Sequence, residues 1–94
     1  MILERFVWKV KWGCQERLIA FLKEEGERQG WSSRFYTEVT GPFPTVVTHT
    51  EFESLDQRED WYTELRARPG TPAFMQKLGE LVESSFCELW HVLE

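Results

Sequence analysis

Cysteine is scarce: the two, Cys14 and Cys87, lie far apart and no CxxC is present. That excludes a zinc framework or a dithiol redox motif, and free thiols in a reduced, cytoplasmic setting are expected. Basic charge is also low. Eleven Lys and Arg against 16 Asp and Glu give a net charge of −5, which argues against a non-specific nucleic-acid binder, since phosphate neutralisation needs clustered cations. No apolar run approaches the ~20 residues of a membrane span. The opening Met1-Ile2-Leu3-Glu4-Arg5 has no basic region ahead of an apolar one, so no signal peptide is expected. A GxSxG elbow and a Gly-rich phosphate loop are both missing, so nucleophilic catalysis and nucleotide binding have no support.

What is plentiful is aromatic surface: five Trp, seven Phe and two Tyr in 94 residues. A chain this short is one domain, 1–94, and buries only roughly 60–65% of its unfolded surface, so gaining stability by association is expected. Large rings bury much area per residue, and they equally suit the lining of a pocket.

From Ile2 to Trp12 the residues alternate. Ile2, Phe6, Trp8, Val10 and Trp12 share one parity and Arg5, Lys9 and Lys11 the other, which predicts a strand with a core face and a wetter face. Glu4 falls on the apolar parity. Gly13 ends the strand. Cys14 to Arg28 reads as an amphipathic helix whose stripe is Cys14, Leu18, Phe21, Leu22 and Glu25, with Gly30 as its C-terminal cap. Ser33 to Thr40 is a second strand, and the prolines of Gly41-Pro42-Phe43-Pro44 make a hairpin connection to a β-branched third strand, Thr45 to Glu53.

Ser54 and Gln57 fit a capping box for a helix to about Ala67 that buries Trp61 and Leu65 with Tyr62 alongside. Pro69-Gly70-Thr71-Pro72 interrupts it. Thr71 can cap a second piece with the stripe Phe74, Met75, Leu78, Leu81 and Val82. Ser85 to Leu93 is the last strand, with Cys87, Leu89, His91 and Leu93 on one face and Phe86, Glu88, Trp90 and Val92 on the other.

The order β-α-β-β-α-β is the ferredoxin-like, split βαβ arrangement of the α+β class. It places a four-stranded antiparallel sheet under helices packed on one face. Neither face of the last strand is polar enough for water, so a homodimer formed through the open sheet face is expected.

With this order, the chain resembles the dimeric α+β barrel superfamily, and within it the NIPSNAP-type domain. MILERFVWKVKWG is similar to that family's opening strand, with Glu4, Trp8, Val10-Lys11 and Gly13; EFESLDQREDWYTELRARPGTPAF is similar to its third strand entering a second helix with a proline-marked break. The likeness spans essentially the whole chain. An Arg that often follows the family Glu by two positions is Phe6 here. The related antibiotic biosynthesis monooxygenase branch typically uses an Asn on the first strand, and its haem-degrading members add a His in the second-helix region. This sequence has no Asn and neither His falls in a predicted helix, so those catalytic positions do not carry over.

The candidate catalytic residues are Glu4 and His49. A carboxylate beside Trp rings can serve as general acid or base, although strand carboxylates such as Glu38, Glu51 and Glu88 are expected to pair with Arg5, Lys9, Lys11 or Arg34. His49 lies mid-strand on the expected dimer side, and His91 lies between Trp90 and Val92; a metal site would need further ligands. Trp8, Trp12, Trp61, Tyr62, Phe74 and Trp90 are candidates for a cavity between sheet and helices, because a broken helix leaves a gap. The expectation is a homodimeric module with a cleft for a small hydrophobic ligand, without cofactor or metal. The alternative is a cofactor-independent oxygenase or isomerase acting on an aromatic or polyketide-like molecule with Glu4 or His49 as base. Haem binding through His49 or His91 ranks third.

Overall fold

The computed structural model describes residues 1–93; Glu94, the last residue of the expected domain, lies outside them. The chain runs β1 (Ile2–Val10), α1 (Gln15–Gln29), β2 (Arg34–Thr37), β3 (Thr45–Phe52), α2 (Leu55–Ala67), α3 (Thr71–Leu81) and β4 (Val82–His91). The strands lie in the order β2-β3-β1-β4, every pairing antiparallel, which is the ferredoxin-like topology the element order implied.

Register decides which residues share a face, because side chains directly opposite each other in a ladder lie on the same side. Glu4 stands opposite Thr50 and Leu89, and Trp8 opposite Val46 and Ser85. This even-numbered side of β1 is buried under the helices: Ile2, Glu4, Trp8 and Val10 are all buried. Leu18 and Leu22 of α1 and Leu78 and Leu81 of α3 close the core over Trp8, Val10 and Val46. Leu18, Leu81, Val10 and Val46 are the most completely enclosed, and each such side chain contributes about 1.5–3 kcal/mol of transfer free energy. Arg5, opposite His49 and Glu88, marks the other side, which carries no helix.

Several boundaries differ from the expectation. Trp12 lies beyond β1, 75% exposed, with its ring edge-on to Phe43 at 5.3 Å, and it does not line the cavity between sheet and helices. Strand β2 stops at Thr37, because Glu38 turns to accept from the Gln15 side chain at 3.1 Å and the Thr45 backbone N–H at 3.1 Å instead of continuing the ladder. Strand β4 starts at Val82, which therefore leaves the helical stripe; an irregular register between Lys9 and Val10 accommodates the extra length. Thr71 is not a cap. Gly70 occupies that position, and the Thr71 hydroxyl donates to the Leu65 carbonyl, tying α3 to α2. Met75 is exposed. Ser54 does cap α2, accepting from the Gln57 N–H at 3.1 Å.

Gly26 sits inside α1 because Trp31 folds back over it. A Cβ there would lie 2.9 Å from the Trp31 carbonyl oxygen, a backbone atom that cannot swing aside. Gly30, at φ 83°, makes that reversal and donates to Gly26 O at 2.8 Å. Gly26→Ala is therefore expected to destabilise the chain by about 1–2 kcal/mol, overpacking outweighing the roughly 1 kcal/mol that Ala gains in helix propensity. Urea unfolding of the variant measures it, and a neutral or stabilising substitution would show that Trp31 yields freely.

Candidate ligand cavity

The break between α2 and α3 leaves a cavity of about 280 Å³ between those helices and the covered face of the sheet. Its floor is Phe6, Trp8, Thr48 and Thr50, and Trp31, Trp61, Tyr62 and Phe74 stand over it. The Phe6 and Trp8 rings stack 4.8 Å apart at 12°. The Trp8 indole N–H is satisfied by Thr48 Oγ1 at 3.1 Å, so that ring presents only apolar surface. Trp31 meets Trp61 and Phe74 edge-on, at 6.0 and 6.1 Å.

One end of this cavity is polar. Glu4 is only 4% exposed, and its carboxylate accepts from the Tyr62 hydroxyl at 2.8–2.9 Å and from Arg58 Nε at 2.7 Å. A buried carboxylate without partners would be costly; here α2 supplies both. Arg58, Trp61, Tyr62 and Leu65 recur at helical spacing and turn one face toward the sheet. The Arg58 guanidinium also lies over the Tyr62 ring, 4.7 Å from its centroid. Burial, then the charge of Glu4, pushes the Tyr62 hydroxyl well above the usual phenol range, so Tyr62 stays neutral and acts as a donor. Burial and the Glu4 charge also push the Cys87 thiol up, away from the thiolate a nucleophile needs. On the cavity wall Ser33 and Thr50 hydroxyls bond to each other at 2.6 Å.

Of the residues singled out from the sequence, Glu4, Trp8, Trp61, Tyr62 and Phe74 come together around this cavity. Trp90 does not. It stands opposite Leu3 on the helix-free face, 54% exposed. His49 is on that face too, opposite Arg5 and Arg34, so it shares no cavity with Glu4. His91 stands opposite Ile2, at the edge of the other face, and is exposed; the two histidines do not meet. Glu88 pairs with Arg5 at 2.6 Å, as strand carboxylates were expected to pair. Among the described residues no cluster of three or more His, Cys, Asp or Glu is placed to hold a metal ion, and no helix is long and apolar enough to cross a membrane.

Two contributors were missed from the sequence. Arg58 was passed over as one charged residue among many, although it precedes Trp61 by three positions. Trp31 follows α1 in a loop, and the glycine at position 26 was its only signal.

Partial burial, then the charges of Arg5 and Arg34, holds the His49 imidazole below its usual pKa. The unfolded chain therefore binds the extra proton more readily. The stability this represents is full above the unfolded pKa of about 6.5 and is lost as pH falls from there through the lower folded value. Because the ring is largely solvated, the effect should stay below about 1 kcal/mol. Urea midpoints at pH 7.5 and 5.5 should converge less in the parent than in His49→Gln; an identical pH response in both would remove the assignment.

A four-stranded antiparallel sheet with helices on one face, and an aromatic, carboxylate-ended cavity beneath them, defines a ferredoxin-like α+β domain. Its fold is that of NIPSNAP domain proteins. A NIPSNAP domain protein from Burkholderia xenovorans superposes with a TM-score of 0.85 at 18% identity, over 99% of this chain and 95% of that one. A NIPSNAP family protein from Agrobacterium tumefaciens gives 0.83 at 22% identity, over 99% and 93%. A candidate antibiotic biosynthesis monooxygenase from Deinococcus radiodurans gives 0.72 at 15% identity, over 100% and 94%. No protein-family model and no curated protein matches the sequence.

Proposed function

We propose that the chain is a homodimeric binding module that takes a small, largely apolar molecule into the cavity between its sheet and its broken helix. The single observation that carries this reading is the cavity itself: about 280 Å³ within aromatic walls, bounded at one end by a buried, ion-paired carboxylate. Pockets of this kind combine apolar walls with a few polar groups that orient the ligand. Its two thiols, Cys14 buried and Cys87 exposed, are both free, which supports a reducing, cytoplasmic setting.

The helix-free face supports the dimer. Tyr36, Phe86 and Trp90 are exposed there, and Leu3, Val7 and Val47 are half-buried beside them. Two cations of the face have partners within the protomer, Arg5 with Glu88 and Lys9 with Glu83, which lowers the cost of covering them. Native mass spectrometry of the purified protein tests both parts. A mass of two chains of 11.2 kDa with a retained small molecule is expected; a bare monomer would count against both.

A second reading has one observation in its favour, the burial of Glu4 at the wall of an aromatic cavity. In a cofactor-independent oxygenase or isomerase Glu4 would abstract a proton and the aromatic walls would hold the substrate ring. The Arg58 ion pair opposes this, since taking a proton would discharge the carboxylate and leave the guanidinium without its partner. His49 has no part in that chemistry from the opposite face. For a substrate once found, Glu4→Gln should abolish turnover under this reading, and retained turnover would end it.

A further inference from the structure

We propose that the ligand of this cavity is an uncharged aromatic molecule bearing one hydroxyl or N–H donor, which points at Glu4 and Tyr62. The inference rests on the reading of the cavity as a binding site and goes on to its chemistry.

Charge comes first. Glu4 is buried and its negative charge is already balanced by Arg58 at 2.7 Å, so the polar end of the cavity is neutral as it stands. A carboxylate or phosphate ligand would set a second anion against Glu4, because Tyr62 and Glu4 line the cavity and Arg58 stands behind them. A cationic ligand would leave one uncompensated positive charge beside the buried Glu4–Arg58 pair. Both cost heavily in a low-dielectric interior, so a neutral molecule is selected.

Hydrogen-bond polarity comes second. The Tyr62 proton is committed to Glu4 at 2.8–2.9 Å, and Tyr62 stays protonated because burial and the neighbouring carboxylate oppose its ionisation. What remains open on these two groups is acceptor capacity: lone pairs on the Glu4 carboxylate and on the Tyr62 oxygen. A ketone, ether or plain hydrocarbon has nothing to give them. A phenol or an aromatic alcohol does, through a charge-assisted hydrogen bond. The walls set the rest, since Phe6, Trp8, Trp31 and Trp61 all line the cavity and an aromatic ligand gains from stacked or edge-on contact with such rings.

The test is calorimetric titration of the native chain with three probes on one ring system: 2-naphthol, 2-methoxynaphthalene and 2-naphthoate. 2-Naphthol is expected to bind at least about tenfold more tightly than the methyl ether, the gain of one hydrogen bond to a charged group, and naphthoate more weakly than either. In Glu4→Gln, with its fold checked by circular dichroism, the charge-assisted bond is lost and the preference of naphthol over the ether should shrink severalfold. If the ether or naphthoate binds as tightly as naphthol, the donor assignment is overturned while the cavity remains a binding site. Binding of none of the three would overturn the binding-site reading and this inference together.

Discussion

Replacing Arg58 by methionine should lower the unfolding free energy by about 3 kcal/mol at neutral pH, the scale of removing one partner from a buried ion pair. Methionine keeps most of the unbranched stem, so packing changes little and the loss isolates the charge. Glu4 would then keep Tyr62 as its donor but have no counter-charge, at 4% exposure. Adding Glu4→Gln to Arg58→Met should restore more than half of the loss, because the double variant buries no net charge; the excess recovery is the coupling energy. Lys77→Met serves as a control. Its partner Glu80 is 3.8 Å away with both side chains half-exposed or more, and such pairs are worth about 0–1 kcal/mol. A loss below about 0.5 kcal/mol for Arg58→Met would show that Tyr62 alone satisfies the carboxylate, and the argument for a neutral ligand would lose its first step.

The architecture was legible because strand parity and helical stripes are enforced by burial. Leu18 and Leu22 of α1 and Leu78 and Leu81 of α3 are where the stripes put them. The parity violation at Glu4 pointed to a buried carboxylate for the same reason: a charged residue among Phe6 and Trp8 must meet something. What it meets was not legible. Arg58 lies among Asp56, Gln57, Glu59 and Asp60, a stretch that reads as solvated, and only its spacing from Trp61 and Tyr62 turns it inward. Trp90 failed differently. Both faces of β4 are apolar, so alternation carried no direction, and its pairing with Leu3 decides that it looks away from the helices. Strand ends went wrong where side chains bind backbone. Glu38 caps the start of β3 through Thr45 N–H and takes itself out of β2, a competition that propensity does not register.

The helix-free face offers the other large effect. Phe86→Lys should convert the proposed dimer to a monomer while leaving the protomer folded. Phe86 is 55% exposed in the single chain, so its replacement costs the protomer little, within about 0.5 kcal/mol for an ordinary surface site. At the interface the balance reverses. Phe86 stands opposite Val7, between the diagonal neighbours Arg5 and Lys9, so the new ammonium would be covered beside two like charges. A two-fold interface is the same patch on both subunits, and each substitution counts twice. Losing the exposed half of two rings, each worth about 1.5–3 kcal/mol if buried whole, sums to roughly 1.7–3.3 kcal/mol, which with the added charges weakens association by more than about tenfold. Light scattering on a size-exclusion eluate at micromolar protein reads the mass, and far-UV circular dichroism confirms the fold. Val39→Lys is the matched control. Val39 is fully exposed and lies outside every strand, so the same added charge there should leave the dimer intact. A Phe86→Lys variant that still elutes at twice the chain mass would place the interface elsewhere, and a monomeric parent chain would remove the dimer altogether.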